Sequence, residues 1–363
     1  MPVHFNEDRW KKIRNSYSQW WDGKLDRPLI NLTVTGYDPG RKTSKHPCKG
    51  FTAAYDKSVT ADEIADAWDH ALSTHRFLSD AFPSMWLNFG PGVLAAFLGS
   101  KLEHDERTVW FHPDKIDEIK DINFKWDYDN YWLNRVRSIA EAADRRFQGT
   151  AQIGMTDLGG AMDVLSTFRP SERLLMDLYD NPDEVKRLTC QIFDLWWRAF
   201  DEIDSVQRHN PGYSCWTPIF SEKPYYMTQS DFCYMIGPDM FDEFVKPELS
   251  ATHRRLTNGF YHLDGPGELA HLDSLLTIKE LKGVQWIPGD GQPSFEEWPD
   301  VYRRIRKAGK LIQVFGGKNG FRVLDKIAED LGSAKGIIFI HSVDKSNLDE
   351  AKAFLKRHGC EEE

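Results

Sequence analysis

The chain has 363 residues, with 46 basic and 56 acidic side chains spread without a long run of either sign and a net charge of −10. That balance excludes a nucleic-acid binder, which draws its affinity mainly from Lys and Arg on phosphates, and suits a small-molecule substrate. No stretch approaches the 18 consecutive apolar residues of a membrane-spanning helix, and five cysteines without a CxxC pair read as reduced thiols.

In chain order, Met1–Trp10 carries charge where a signal peptide needs an apolar run, so the expected location is cytoplasmic. Residues 1–27 read as a helical arm and 28–358 as the body of a single domain spanning 1–363. Short apolar runs read as strands at Pro28–Thr35, Ser84–Phe89, Ala151–Met155, Tyr213–Thr217, Gly259–Leu263, Val284–Ile287, Leu311–Phe315 and Gly336–His341. Amphipathic stretches separate them. From Asp183 to Val206 the residues Leu188, Ile192, Leu195, Ala199 and Ile203 recur at helical spacing behind Asn181-Pro182. The last helix has Ser346 as a cap, Leu348, Ala351 and Leu355 on one face and Gly359 as its stop.

Eight strands alternating with helices predict an α/β fold, a (β/α)8 TIM barrel with parallel strands and right-handed crossovers. The connections Gly36–Thr60 and Gly90–Trp126 are long for such a barrel. They read as insertions over its C-terminal mouth, serving as lids, ligand contacts or the surface of a homodimer. No GxGxxG follows a strand, which sets a dinucleotide-binding open sheet second.

Barrel chemistry sits at the C-terminal ends of strands. The fifth strand ends in His262-Leu263-Asp264-Gly265. Alternation puts His262 and Asp264 on one face, about 6 to 7 Å apart along the backbone. The eighth strand ends in His341, and two histidines with an aspartate are an accepted ligand set for zinc; hydrogen bonding within the rim is the other reading. Asp157, past the third strand, is a candidate general base beside Asp264; Asp163 is either another or a helix cap. Trp216, Tyr226, Gln229 and Asp231 after the fourth strand and Gln313 in the seventh read as substrate-binding walls. Arg169 reads as a carboxylate clamp or a surface cation. The loop Gly316–Gly320 has the position of a barrel phosphate site, or is a tight turn. The 13 tryptophans serve a large core or line a pocket.

Several ordered motifs, Gln229-Ser-Asp-Phe232, Ile236-Gly-Pro-Asp-Met-Phe-Asp-Glu-Phe244, Pro247-Glu-Leu249 and His262-Leu-Asp-Gly265, resemble the uroporphyrinogen decarboxylase superfamily. Leu165-Ser166 through Asn181-Pro-Asp-Glu184 is similar to the same family, as is, more weakly, the arm with Trp20-Trp21-Asp22-Gly23 and Asp26-Arg27-Pro28. The resemblance covers most of 150–358 and implies a (β/α)8 barrel with one of two chemistries, decarboxylation of porphyrinogen acetates or zinc-dependent methyl transfer linked to corrinoid proteins. The decarboxylases grip porphyrin carboxylates with an arginine-rich N-terminal motif. Between Trp21 and Asn31 this chain offers only Lys24 and Arg27.

In the methyltransferase branch a His-x-Cys-Gly on the fifth strand and a Cys after the eighth hold zinc. Here His262 matches, Asp264 stands in the cysteine's place, and the second cysteine's position falls near His341 or Ser342. The resemblance therefore implies zinc on His262, Asp264 and His341, a harder ligand set, and methyl transfer between a small substrate and a corrinoid carrier protein. Two alternatives stand beside it. One is a metal-free decarboxylase or lyase for a small carboxylated or sugar-like substrate, with Asp264 or Asp157 handling the proton. The other is a ligand-binding barrel without turnover.

Overall fold

The computed structural model describes residues 3, 5–105 and 107–362. Its first element, helix α1 (Glu7–Trp21), is capped by Asn6, whose side chain accepts the Arg9 N–H at 2.9 Å, and carries Glu7 and Asp8 in its first turn. Trp10, Ile13, Tyr17 and Trp20 recur at steps of three and four, so one face of α1 is buried. Trp20 stacks on Phe260 with centroids 5.8 Å apart, and Trp10 and Tyr17 pack on Phe82 and Phe220.

The strands are β1 (Leu29–Thr35), β2 (Arg76–Ser79), β3 (Ser84–Trp86), β4 (Lys101–His104), β5 (Val109–His112), β6 (Gln152–Gly154), β7 (Tyr225–Thr228), β8 (Asn258–Asp264), β9 (Gly283–Ile287), β10 (Leu311–Phe315) and β11 (Ile337–Asp344). Seven form one sheet in the order β2-β1-β11-β10-β9-β8-β7, parallel throughout except for β2. Long helices such as Tyr131–Phe147 and Pro182–Asp204 surround it, and one cluster of buried apolar side chains runs from Val3 to Cys360. No helix among the described residues is long and apolar enough to cross a membrane.

The result is an α/β fold with a mostly parallel central sheet. The closed eight-strand ladder expected from the strand count is not formed. β3 and β6 pair only with each other, and β4 and β5 make a separate hairpin inside the Gly90–Trp126 connection. The expected fourth strand is displaced as well: Tyr213–Thr217 makes only a single antiparallel bridge, Tyr213 to Ser221, plus a bond from the Met155 N–H to the Ser214 carbonyl. Pro218 and Pro224 lack the N–H groups a ladder needs there, and regular pairing resumes in β7, one residue past Pro224.

The register decides what lies inside. His262 pairs with Gln285, Gln285 with Gln313, and Gln313 with Ile338, so these four share one face at one level. Trp286 and Phe339 lie on the other face, against Trp298 and Phe354 of the surrounding helices. His341, two residues after Phe339, belongs to that helix-facing side. Trp20 meets Phe260 two residues before His262, so α1 covers the opposite end of this face from Asp264. Replacing Trp20 by Ala should cost about 3–5 kcal/mol, the usual range for emptying a buried indole site. Chemical denaturation will show this as a lower midpoint with an unchanged slope.

Candidate metal and active site

The C-terminal end of β8 carries the centre of the site. His262 Nε2 lies 3.7 Å from Asp264 Oδ2, and Asp231, in the short turn Asp231–Met235 after β7, completes a group whose ligand atoms all lie within 4.8 Å of one another. The imidazole is held from two sides. Its Nδ1 is 2.5 Å from Gln285 Oε1, and the Trp216 ring stands perpendicular to it with centroids 4.8 Å apart. Gln285 in turn donates its amide to Gln313 Oε1. After Asp264 the chain turns at Gly265, φ +78°, a conformation that favours glycine.

Two further carboxylates come from the loop after β6. Asp157 is buried, accepts the Gly159 N–H at 2.9 Å and lies 3.5 Å from the Tyr226 hydroxyl, which itself accepts the Leu158 N–H. Asp163 sits in the first turn of helix Ala161–Phe168. Its Oδ1 accepts the Phe232 N–H at 2.8 Å, and its buried Oδ2 has no hydrogen-bond partner. Asp163, Gln229 and Asp231 line a cavity of about 270 Å³ with Gly92, Ser166 and Thr167. The long Gly90–Trp126 connection reaches this cavity through Gly92, and the Val93 N–H bonds the Asp157 carbonyl.

Among the described residues no Lys or Arg lines this cavity or pairs with these carboxylates. Burial instead disfavours the charged form of Asp157, Asp163 and Asp231. Burial, with a contribution from Asp231, pushes Asp157 up to about 6. Burial raises Asp163 and Asp231 too, and Asp163 is raised further by Asp231's charge. Asp231 is open to solvent at one side while protein surrounds its carboxylate on the others. For His262 burial disfavours the cation, but hydrogen bonds to Asp264 and Gln285 and the charge of Asp231 outweigh it and hold its pKa above the usual value.

Glu268, four residues beyond Asp264 and 1% exposed, accepts a 3.3 Å hydrogen bond from the Tyr261 hydroxyl, and burial lifts it to about 9. Burial thus favours its neutral form well above the usual carboxylate range.

Several sequence expectations move. His341 does not join the ligand group. It lies against Phe321 and Phe339 and over Gly316, where a Cβ would come within 2.5 Å of its Nδ1. The reason is the strand's alternation, which sends residue 341 to the helix side. The third ligand atom comes from Asp231, expected only as a pocket wall. Arg169 is no substrate clamp: it is buried and donates to Asp177 at 2.6 Å and to the Asp117 carbonyl at 3.0 Å. Gln313 is buried and accepts the Gln285 amide N–H, one strand further from His262 than Gln285. Asp163 is not a cap, since Gly160 holds that position. The Gly316–Gly320 loop is a packed turn whose Asn319 bonds Ser294 and Glu296, and the acidic neighbour disfavours phosphate.

Trp216, Tyr226, Gln229, Asp157 and Asp264 do gather around His262 or its carboxylate neighbours. Glu268 and Gln285 were missed. Gln285 had a readable signal, a lone polar residue within the buried strand Gly283–Ile287.

The chain matches no protein-family model, and no relative is found among curated proteins. Among solved structures, its fold is similar to that of a methyltransferase from Methanosarcina mazei, with a TM-score of 0.62 over 96% of this chain and 98% of that one, at 12% identity. At that identity the likeness is one of fold.

Glu268 makes the site's ionisation measurable through stability. Unfolded, it releases its proton near 4.5; folded, it keeps it to about 9. The native state therefore binds more protons between those values, and stability falls as pH rises across that window. Glu268→Gln keeps the neutral form and the acceptor for Tyr261. Its unfolding free energy should match the native protein's at acid pH and exceed it at pH approaching 9, by an amount on the order of a few kcal/mol, seen as a higher melting temperature there.

Proposed function

We propose that the chain is an enzyme, a methyltransferase on an opened (β/α)8 barrel plan. It holds a divalent cation, zinc by preference, on Asp231, His262 and Asp264. The observation that carries this reading is the convergence of those three ligand atoms within 4.8 Å at the end of β8. The donor types fit the ion: imidazole nitrogen and carboxylate oxygen both ligate zinc, three protein ligands leave a position open, and the ligand-to-ligand distance of roughly 3.4 Å in tetrahedral zinc compares with 3.7 Å between His262 and Asp264 and at most 4.8 Å across the group. Asp264 is half-exposed, so small side-chain rotations can bring the group together.

When bound, the cation supplies Lewis acidity that binds and polarises the substrate heteroatom accepting or releasing the methyl group. The chain's own residues do the rest. Asp231 and Asp264 fix charge at the mouth, Trp216 and Gln285 orient His262, and the cavity beside Asp163 and Gln229 holds a small substrate. Asp157, poised near neutrality, is placed to take or return a proton on the Tyr226 side. The absence of pairing Lys or Arg favours a neutral or cationic substrate over a carboxylated one. The similarity in fold to a methyltransferase supports methyl transfer, and the resemblance to the uroporphyrinogen decarboxylase superfamily suggests a corrinoid carrier protein as partner.

One observation favours a second reading, a metal-free lyase. His262 and Asp264 are near enough to form an imidazolium–carboxylate pair that moves protons without an ion. Metal analysis of the purified protein separates the two. Under the first reading it contains a single bound zinc, whose affinity falls more than ~100-fold in His262→Ala and Asp231→Ala, beyond the effect of losing a supporting hydrogen bond. In the same assay His341→Ala binds as the native protein does. Addition of a methylcobalamin-bearing protein and a methyl acceptor should then shift the corrinoid absorption spectrum. A native protein without metal would sink the first reading.

A further inference from the structure

The His262 ring has two nitrogens, and only one can face Asp231 and Asp264. Which of them carries a hydrogen is decided on the opposite side of the ring, inside the sheet. We propose that Gln285 and Gln313 are positioning residues that set the tautomer of His262, so that Nδ1 bears the hydrogen and Nε2 presents its lone pair to the mouth.

The geometry is a row of three side chains on adjacent strands. The register pairs His262 with Gln285 and Gln285 with Gln313, which puts all three at one height. Gln285 and Gln313 are fully buried, so no water competes for their amides. Gln285 Oε1 stands 2.5 Å from Nδ1, and in this amide orientation the oxygen accepts, so Nδ1 donates. Gln285 could reverse this by turning its amide over. With Gln313 as it stands, that turn would set Gln285 Oε1 against Gln313 Oε1, so the two amides can reverse only together. The far end of the row is Gln313 Nε2, which is buried with no hydrogen-bond partner. Trp216, perpendicular to the imidazole, restrains ring rotation, leaving the tautomer to the two glutamines.

This rests on the cation reading above for its consequence, since a lone pair on Nε2 is what a metal needs, but its geometry holds without the metal. The reverse row, with Gln313 donating to Gln285 and Gln285 donating to Nδ1, would place the lone pair against the glutamine and the hydrogen toward Asp264.

Nitrogen-15 NMR of histidine-labelled protein, kept free of metal at a pH where His262 is neutral, reads the tautomer directly. His262 is identified as the signal lost in His262→Gln. We expect its Nδ1 at the protonated shift and its Nε2 at the lone-pair shift. Gln285→Met, which keeps the volume and removes the acceptor, should yield a mixed or reversed pattern and a zinc affinity lower by roughly 10- to 100-fold. Gln285→Glu, an obligate acceptor that Gln313 can satisfy by turning its own amide, should restore the native pattern. Gln313→Met should loosen it without touching His262.

A reversed tautomer in the native protein, or a native pattern in Gln285→Met with unchanged circular dichroism, would overturn the proposal. These outcomes are separate from the metal itself. Native protein that ignores zinc yet shows the Nδ1–H tautomer would remove the functional reading and leave this one standing. Zinc bound equally well by native protein and Gln285→Met would do the opposite.

Discussion

Polar side chains in the interior of a parallel sheet have no water to turn to, so each must find its hydrogen bond in a neighbour at the same height. The row His262, Gln285 and Gln313 meets this condition across three strands, and it does so because the β8–β9–β10 register aligns them. The rest of the site depends on that alignment. A slip of one residue would turn every member of a strand to the helix side and replace the row with Tyr261, Val284 or Ile312. With the register in place, the imidazole is fixed at its inner nitrogen, and Asp264, two residues on, arrives beside its outer one.

Charge is the second constraint. Asp157, Asp163, Asp231, Asp264 and Glu268 crowd one mouth, and among the described residues no Lys or Arg forms an ion pair with them. The fold accommodates them by burying some until they prefer the neutral form, most fully at Glu268, and by leaving Asp231 and Asp264 toward solvent where a cation can approach. A site of this kind attracts positive charge and repels carboxylated ligands.

Stability and chemistry sit at opposite ends of the sheet. Aromatic packing from α1 covers the face near Phe260, while the strand ends beyond His262 carry the ionisable groups and the loops that reach over them. The division leaves the mouth free to hold unfavourable charge, because its cost is met by apolar contacts elsewhere.

Much was determined by the sequence alone. Apolar patterning marked most of the strands, the helix from Asp183 and the last helix, and strand alternation put His262 and Asp264 on one face, since these depend only on neighbours within a few residues. The same rule, applied to Phe339 and His341, would have turned His341 away. Distances between strand ends, by contrast, depend on pairings remote in the chain. Only the tertiary structure could bring Asp231 to His262 in place of His341, pair Arg169 with Asp177, and set Gln285 behind the imidazole. It also decided that the strands do not close into one ladder; on the β7 side, prolines at 218 and 224 lack the N–H groups that pairing there would use.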